Sequence, residues 1–192
     1  MSGHRVLDLV WLIPALPAFG AVVLLLFGKR IGEPRAGWIA TAVMAGSFLC
    51  SVVAFAVLLG RHAEQRQQVR TLWTWFQSGG FVVKMGFLVD PLSVTMILFV
   101  TGVGTLIHLY SIGYMHGDPR FSRFFAYMNL FAASMLMLVL GGSFLVTFLG
   151  WEGVGLCSYL LISFWFERNS AAVAGISCIR PMAPFLETTH GR

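Results

Sequence analysis

Glu152 is the residue in this sequence best suited to chemistry. It stands in the apolar stretch Ser143–Phe166, about nine residues from one end and about fourteen from the other, and that stretch holds no other Asp, Glu, Lys or Arg. About 20 apolar residues cross the ~30 Å of hydrocarbon in a bilayer, so this carboxylate is expected near mid-depth. An ionised group there costs several kcal/mol, so it must face a packed or wet interior rather than lipid. Burial disfavours its charged form and a neighbouring cation favours it; a group held between those two pulls can take up and release a proton. A structural reading also fits the position: a protonated glutamic acid making one hydrogen bond to a neighbouring helix.

Other residues add to this centre. Gly153, Gly155, Cys157 and Ser158 are small and permit close helix approach. Gly155 and Tyr159, three and seven residues on from Glu152, fall on its side of a helix, and the Tyr159 hydroxyl is a candidate member of a proton path. His108 interrupts another apolar stretch; a neutral imidazole there can relay protons or serve as a hydrogen-bonded core residue. Asp90 precedes Pro91 and is explained as a helix N-cap. Glu167 and Arg168 end the Glu152 stretch and read as interface anchors. Lys29 and Lys84 fall outside the apolar stretches, so this chain supplies no buried lysine beside Glu152.

The elements that position these groups follow from hydropathy. Of 192 residues, 57% are hydrophobic and 11% charged, and the mean hydropathy is +0.80. Soluble domains run near ~25% charged, so a lipid bilayer is the solvent that fits. Five stretches are long enough to span: Leu9–Phe27, Ala36–Gly60, Pro91–Met115, Phe124–Gly142 and Ser143–Phe166. Only Gly141-Gly142-Ser143 separates the last two, and adjacent glycines supply the backbone freedom of a tight reversal; those helices are expected to be antiparallel neighbours. Pro14 and Pro17 lie in the first stretch, where neighbouring groups can satisfy the freed carbonyls and a kink is expected. That stretch is long for a secretory h-region and ends without a clear cleavage site.

Between the second and third spans the chain changes character. Residues 61–68 are polar, and the aromatic and β-branched runs Thr71–Phe76 and Phe81–Phe87 flank Ser78-Gly79-Gly80, which predicts a β-hairpin with interfacial tryptophans. The fold class expected is therefore an all-α integral membrane protein of about five spans with one extramembrane hairpin. Its parts are 1–60 (two helices), 61–90 (loop and hairpin), 91–172 (three helices) and 173–192 (a divergent tail).

The net charge of +5 is spread between the apolar stretches rather than gathered on one face, which reports topology and argues against nucleic acid. Lys29, Arg30, Arg35, Arg120, Arg123, Arg168, Arg180 and Arg192 fall on one side of the membrane; Arg5, Arg61, Arg66, Arg70 and Lys84 fall on the other. The first side is expected to be cytoplasmic and the N-terminus outside. Cys50, Cys157 and Cys178 show no metal-binding or disulfide spacing. Phosphate-loop, dinucleotide and His/Glu metal motifs are absent from the sequence, so no cofactor, flavin, haem or metal is expected on this chain.

Four segments in order carry a family likeness: Asp90-Pro91-Leu92-Ser93, His108–Met115, Arg123–Phe131 and Gly150–Ile162. With them the chain resembles the N-terminal portion of the antiporter-like subunit L (chain 5) of NADH–quinone oxidoreductase, respiratory complex I, over roughly residues 5 to 172. The resemblance implies that Glu152 belongs to a proton channel of the membrane arm, with His108 a weaker transfer. It also implies that quinone reduction in other subunits drives the pumping, that the partners are other membrane-arm subunits, and that the setting is a bacterial plasma membrane.

Members of that family are longer and continue through lysine-bearing helices. After Ala172 this chain instead reads Gly175-Ile176-Ser177-Cys178-Ile179-Arg180-Pro181, with a second proline at Pro184. That is a poor sixth span, and a truncated or frame-shifted reading is the expectation. The large subunit of a cation/proton antiporter or of a membrane-bound hydrogenase shares the glutamate motif and is the alternative. A non-catalytic membrane fragment is the other.

Overall fold

The computed structural model describes residues 9–61, 67–78 and 81–179. The residues before Leu9, most of the polar stretch after Arg61, the expected Gly79-Gly80 turn residues and the residues from Arg180 on lie outside that range. Five helices are long and apolar enough to cross a membrane: α1 Leu12–Ile31, α2 Arg35–Leu59, α3 Pro91–Tyr114, α4 Phe121–Leu140 and α5 Phe144–Ile162. Strands β1 (Gln68–Ser78) and β2 (Phe81–Val89) form an antiparallel hairpin between α2 and α3. A short α6, Asn169–Ile179, follows α5.

Local chemistry sets the start of α3 and repairs a break in α1. The Asp90 carboxylate accepts the Ser93 backbone N–H at 2.6 Å and caps α3, while Pro91 occupies a first-turn position where a missing N–H is harmless. Within α1, Pro17 cannot donate to the Ile13 carbonyl four residues back. Ser47 of α2 supplies the missing proton, its hydroxyl donating to Ile13 O at 2.7 Å. α1 also runs on beyond its apolar stretch through Lys29 and Arg30, which are exposed in its last turn.

Helix α4 organises the bundle. It packs on α1, α5, α3 and α2, whereas α5 rests on α4 and α6. Close approach relies on small residues. A Cβ at Gly150 of α5 would stand 2.6 Å from Leu138 N, and one at Gly28 of α1 would stand 2.8 Å from Ser122 Cβ. Ser122 adds a bond to Gly28 O at 2.8 Å.

The break between α4 and α5 falls at Gly141–Ser143, as expected, and the hairpin docks on it. Gly142 N–H donates to Gly86 O at 3.0 Å, and Phe87 bridges to Gly141. A Cβ at Gly142 would meet Gly86 O at 2.8 Å, so it is the docked strand that requires glycine there; neither glycine of the reversal takes a positive φ. The hairpin is longer than the sequence runs alone suggested and carries register shifts between Thr71 and Trp73 and between Thr74 and Phe76.

Two apolar clusters fill the interior. One joins Ile13, Leu58, Val89, Ile97, Leu136 and Val146 near the hairpin. The other joins Leu24, Ala40, Met115, Phe125 and Phe164 toward the opposite end. At that end the loops are tied together. His116 and Gly117 bond Glu33, Trp165 Nε1 donates to Asp118 at 3.0 Å, and Arg120 pairs with Glu167 at 3.1 Å. Outward faces carry Phe19, Leu26, Leu49, Phe99 and Leu106 exposed, the surface of a multi-pass membrane protein.

Candidate functional site

Glu152 lies eight residues on from Phe144 and ten before Ile162 in α5. At 1.5 Å per residue that is about 12 Å and about 15 Å from the helix ends, so it stands at mid-depth of the span. Helix α5 presents two different sides. Val146, Gly150, Cys157 and the flanking Gly153 meet α4: Cys157 is buried, and a Cβ at Gly153 would meet the Ser134 hydroxyl at 2.6 Å. The other side shows Phe148, Leu149, Trp151 and Leu156 exposed, and Glu152 is exposed among them.

Among the described residues Glu152 faces outward, so the packed or wet interior expected for it is not supplied by these five helices. Hydropathy fixes the depth of a residue but not its direction around the helix axis. Here the glycine side of α5 has gone to α4, leaving the carboxylate on the opposite, uncovered side. Among the described residues Glu152 makes no hydrogen bond or ion pair.

Tyr159 lies two turns further along α5, about 10.5 Å by helical rise, and is half-buried. It borders a cavity of about 220 Å³ with Arg120, Arg123, Tyr127 and Ser163. Its burial owes something to α6, since a Cβ at Gly175 would stand 3.3 Å from Tyr159 Cδ2. Gly155, expected on the same side as Glu152, is buried while Glu152 is exposed; an offset of three residues turns a helix position 60° away, enough to cross that boundary. Glu167, read as an anchor, holds Arg120, and the Arg168 guanidinium lies 5.5 Å from the Trp165 ring centroid.

His108 is not brought to Glu152. It sits on α3, only 1% exposed, with α4 between it and α5. Its Nδ1 lies 2.7 Å from Gly104 O, and its ring stands 6.2 Å from that of Phe125. Its neighbour across the helix interface is Asn129 of α4, which is fully buried. Sequence reasoning passed over Asn129 because a single amide barely lowers the hydropathy of its stretch. The signal was there, since Asn129 is the one side-chain amide between Phe124 and Gly142.

Comparison with known proteins adds the following. Residues 75–125 match the family model for the N-terminus of chain 5 of NADH–ubiquinone oxidoreductase (complex I), and residues 141–181 match that for the transmembrane region of NADH:quinone oxidoreductase and Mrp antiporters. The second match runs past Ala172, into the segment the sequence reading assigned to a divergent tail. The chain is 44% identical over 164 residues to NADH-quinone oxidoreductase subunit L of Mycobacterium tuberculosis, covering 85% of this chain and 26% of that protein. It is 43% identical over 169 residues to NADH-ubiquinone oxidoreductase chain 5 of Arabidopsis thaliana, covering 88% and 25%. The chain thus spans about a quarter of the length of the curated relatives it matches.

Among solved structures, the membrane-bound sulfane sulfur reductase, an archaeal respiratory membrane complex, superposes with a TM-score of 0.77 at 16% identity, over 90% of this chain and 34% of that one. The Mrp complex from Dietzia sp. gives 0.62 at 27% identity, over 80% and 16%. The first establishes likeness of fold alone. The named relatives are subunits or chains of multi-subunit assemblies.

Proposed function

Because the chain is homologous over most of its length to the antiporter-like subunit L (chain 5) of NADH–quinone oxidoreductase, we propose that it is part of a proton-translocating membrane subunit of that oxidoreductase, with Glu152 as its proton-handling residue. The observation that carries this reading is the place of Glu152: mid-depth in α5, unpaired, on a side that no described helix covers. A charged side chain left against lipid at that depth costs about 2.5–3.5 kcal/mol on insertion scales. Trp151, Phe148 and Leu156 around it offer an apolar frame for a further helix or a membrane-arm neighbour. Covered in that way, the carboxylate is shielded from lipid and can exchange a proton with a group on the covering helix.

Tyr159 is the candidate next member toward the Arg120–Arg123 end, and His108 a separate candidate relay deeper in the bundle. The five spans of 19 to 25 residues, with Lys29, Arg30, Arg35, Arg120, Arg123 and Arg168 at one end, support an orientation with that end cytoplasmic and the N-terminus outside, in a bacterial plasma membrane. The parts of the chain follow the same division: helices in 1–60, the hairpin region in 61–90, three helices in 91–172, and the remainder.

A cation/proton antiporter subunit is the second reading, favoured by the transmembrane family model that both groups share and by the fold likeness to the Mrp complex. Copurification separates the two. Flavin- and iron–sulfur-bearing subunits accompany the chain if it belongs to the oxidoreductase. Proton flux then tests the residue: vesicles holding the assembled complex are expected to acidify on quinone reduction, and Glu152→Gln to reduce that flux strongly while the complex still assembles. Equal flux in the two would remove Glu152 from the path.

A further inference from the structure

The bundle interior holds a polar site away from Glu152. His108 of α3 is 1% exposed and Asn129 of α4 is 0% exposed. The imidazole Nδ1 lies 2.7 Å from Gly104 O. A carbonyl oxygen only accepts, so Nδ1 carries the proton and Nε2 is left as a bare acceptor. His108 Nε2, Asn129 Nδ2 and Asn129 Oδ1 are all shielded from solvent; the two side chains lie close enough to interact with each other, yet none of the three atoms has a partner in full hydrogen-bond geometry among the described residues.

Pairing the two side chains with each other does not satisfy them. Asn129 Nδ2 can donate to His108 Nε2, yet Asn129 Oδ1 then still lacks a donor, and an imidazole of this tautomer has none left to give. The site needs a small group that donates at least once and also accepts. Burial excludes a side chain from a partner protein. On the α1 side the wall is Gly20, where a Cβ would stand 2.6 Å from Val43 Cγ2 and 3.2 Å from Asn129 Nδ2, so a larger residue there would press on the amide. Phe125 closes another side with its ring 6.2 Å from that of His108. Buried waters typically make about three hydrogen bonds to otherwise unpaired polar groups, which is the number of unpaired atoms here.

We infer that the α1–α3–α4 core binds one structural water, which donates to His108 Nε2 and to Asn129 Oδ1 and accepts from Asn129 Nδ2. The Gly104 carbonyl fixes the histidine tautomer that makes this possible. Helices α3 and α4 are thereby joined through a polar contact inside an otherwise apolar core. The site is independent of proton handling at Glu152, so either can fail without the other.

The test is solid-state NMR on the full chain in lipid bilayers with 15N,13C-labelled histidine. His108→Gln removes one imidazole signal set and so assigns it against His4, His62, His116 and His190. The expected wild-type result is a protonated Nδ1, a bare Nε2, and a cross-peak between that ring and a slowly exchanging water. Asn129→Leu, close in size but without polar atoms, is expected to lose the water cross-peak while Nδ1 stays protonated. Asn129→Ser, which keeps a hydroxyl, is expected to retain it. A protonated Nε2, or a wild-type ring with no water cross-peak, overturns the inference, as does a cross-peak that persists unchanged in Asn129→Leu. Should Asn129→Leu not insert, the wild-type spectrum alone decides.

Discussion

The contact between α4 and α5 sets where Glu152 points, and Gly150 is where it can be broken. A Cβ at Gly150 would lie 2.6 Å from Leu138 N and 2.8 Å from Leu138 Cα. Ordinary van der Waals contact begins near 3.4 Å, so backbone must move by roughly 0.8 Å (3.4 minus 2.6) to admit one methyl. Neither partner atom is the far end of a flexible side chain, so the strain is taken up by separating the helices. Overpacking of this kind costs about 1–3 kcal/mol.

Gly153→Ala meets mainly the Ser134 side chain, at 2.6 Å to its hydroxyl. That hydroxyl can rotate away at the loss of its 2.9 Å bond to Leu130 O, a change on the order of 0.5–1.5 kcal/mol. Gly113→Ala in α3 meets nothing within 4 Å and is expected to stabilise by up to about 1 kcal/mol through helix propensity. Thermal unfolding in lipid nanodiscs, followed by circular dichroism, is expected to rank Gly150→Ala below Gly153→Ala, below wild type, with Gly113→Ala at or above it. A Gly150→Ala variant as stable as wild type would refute the close α4–α5 contact, and with it the assignment of Glu152 to the uncovered side.

Further expectations are local. Asp90→Ala removes the 2.6 Å cap on Ser93 N and is expected to cost about 1 kcal/mol, with Asp90→Asn recovering most of it in the same unfolding assay. Ser47→Ala leaves the Ile13 carbonyl without the bond that replaces the missing Pro17 N–H. Hydrogen bonds between membrane helices average about 0.6 kcal/mol, and this one is expected to exceed that average because the carbonyl has no helical alternative; a loss no greater than that of Ser122→Ala would contradict the reasoning. Ser122→Ala, at the α1–α4 contact with Gly28 O, is expected to lose close to the average. A Val substitution at Gly142 is expected to detach the hairpin from the α4–α5 turn, read as faster hydrogen exchange at Gly86 and Phe87, because its Cβ would stand 2.8 Å from Gly86 O.

Much of this architecture was legible in the sequence. The bilayer demands apolar stretches of a minimum length, and the five stretches became five helices with ends shifted by a few residues. Glycine, proline and acidic punctuation at Gly141-Gly142, Asp90-Pro91 and Ser78-Gly79-Gly80 marked breaks of types that local chemistry dictates. The hairpin's seat on the α4–α5 turn was not legible, because it depends on strand Gly86 meeting helix-end Gly142 across more than fifty residues of chain.

The same limit applied to the site. Depth could be read for Glu152, but its direction could not, since that follows from which side of α5 the glycines commit to α4. His108 stood out because an imidazole is conspicuous in an apolar stretch. Asn129, its partner across the interface, did not, because amide and hydrocarbon differ less in hydropathy than in what they require of a neighbour.

The place of Glu152 is open to direct measurement by spin labelling. The sites are Glu152→Cys in a background with Cys50, Cys157 and Cys178 replaced, read for collision with oxygen, which concentrates in hydrocarbon, and with a water-soluble nickel chelate. For the chain alone in bilayers, the expected result is high oxygen and low nickel accessibility, as for an uncovered position at mid-depth, and a fall in oxygen accessibility once the membrane-arm partners assemble. A label that meets the nickel chelate freely in the chain alone would put position 152 in bulk water and contradict a proton-handling carboxylate held within the membrane.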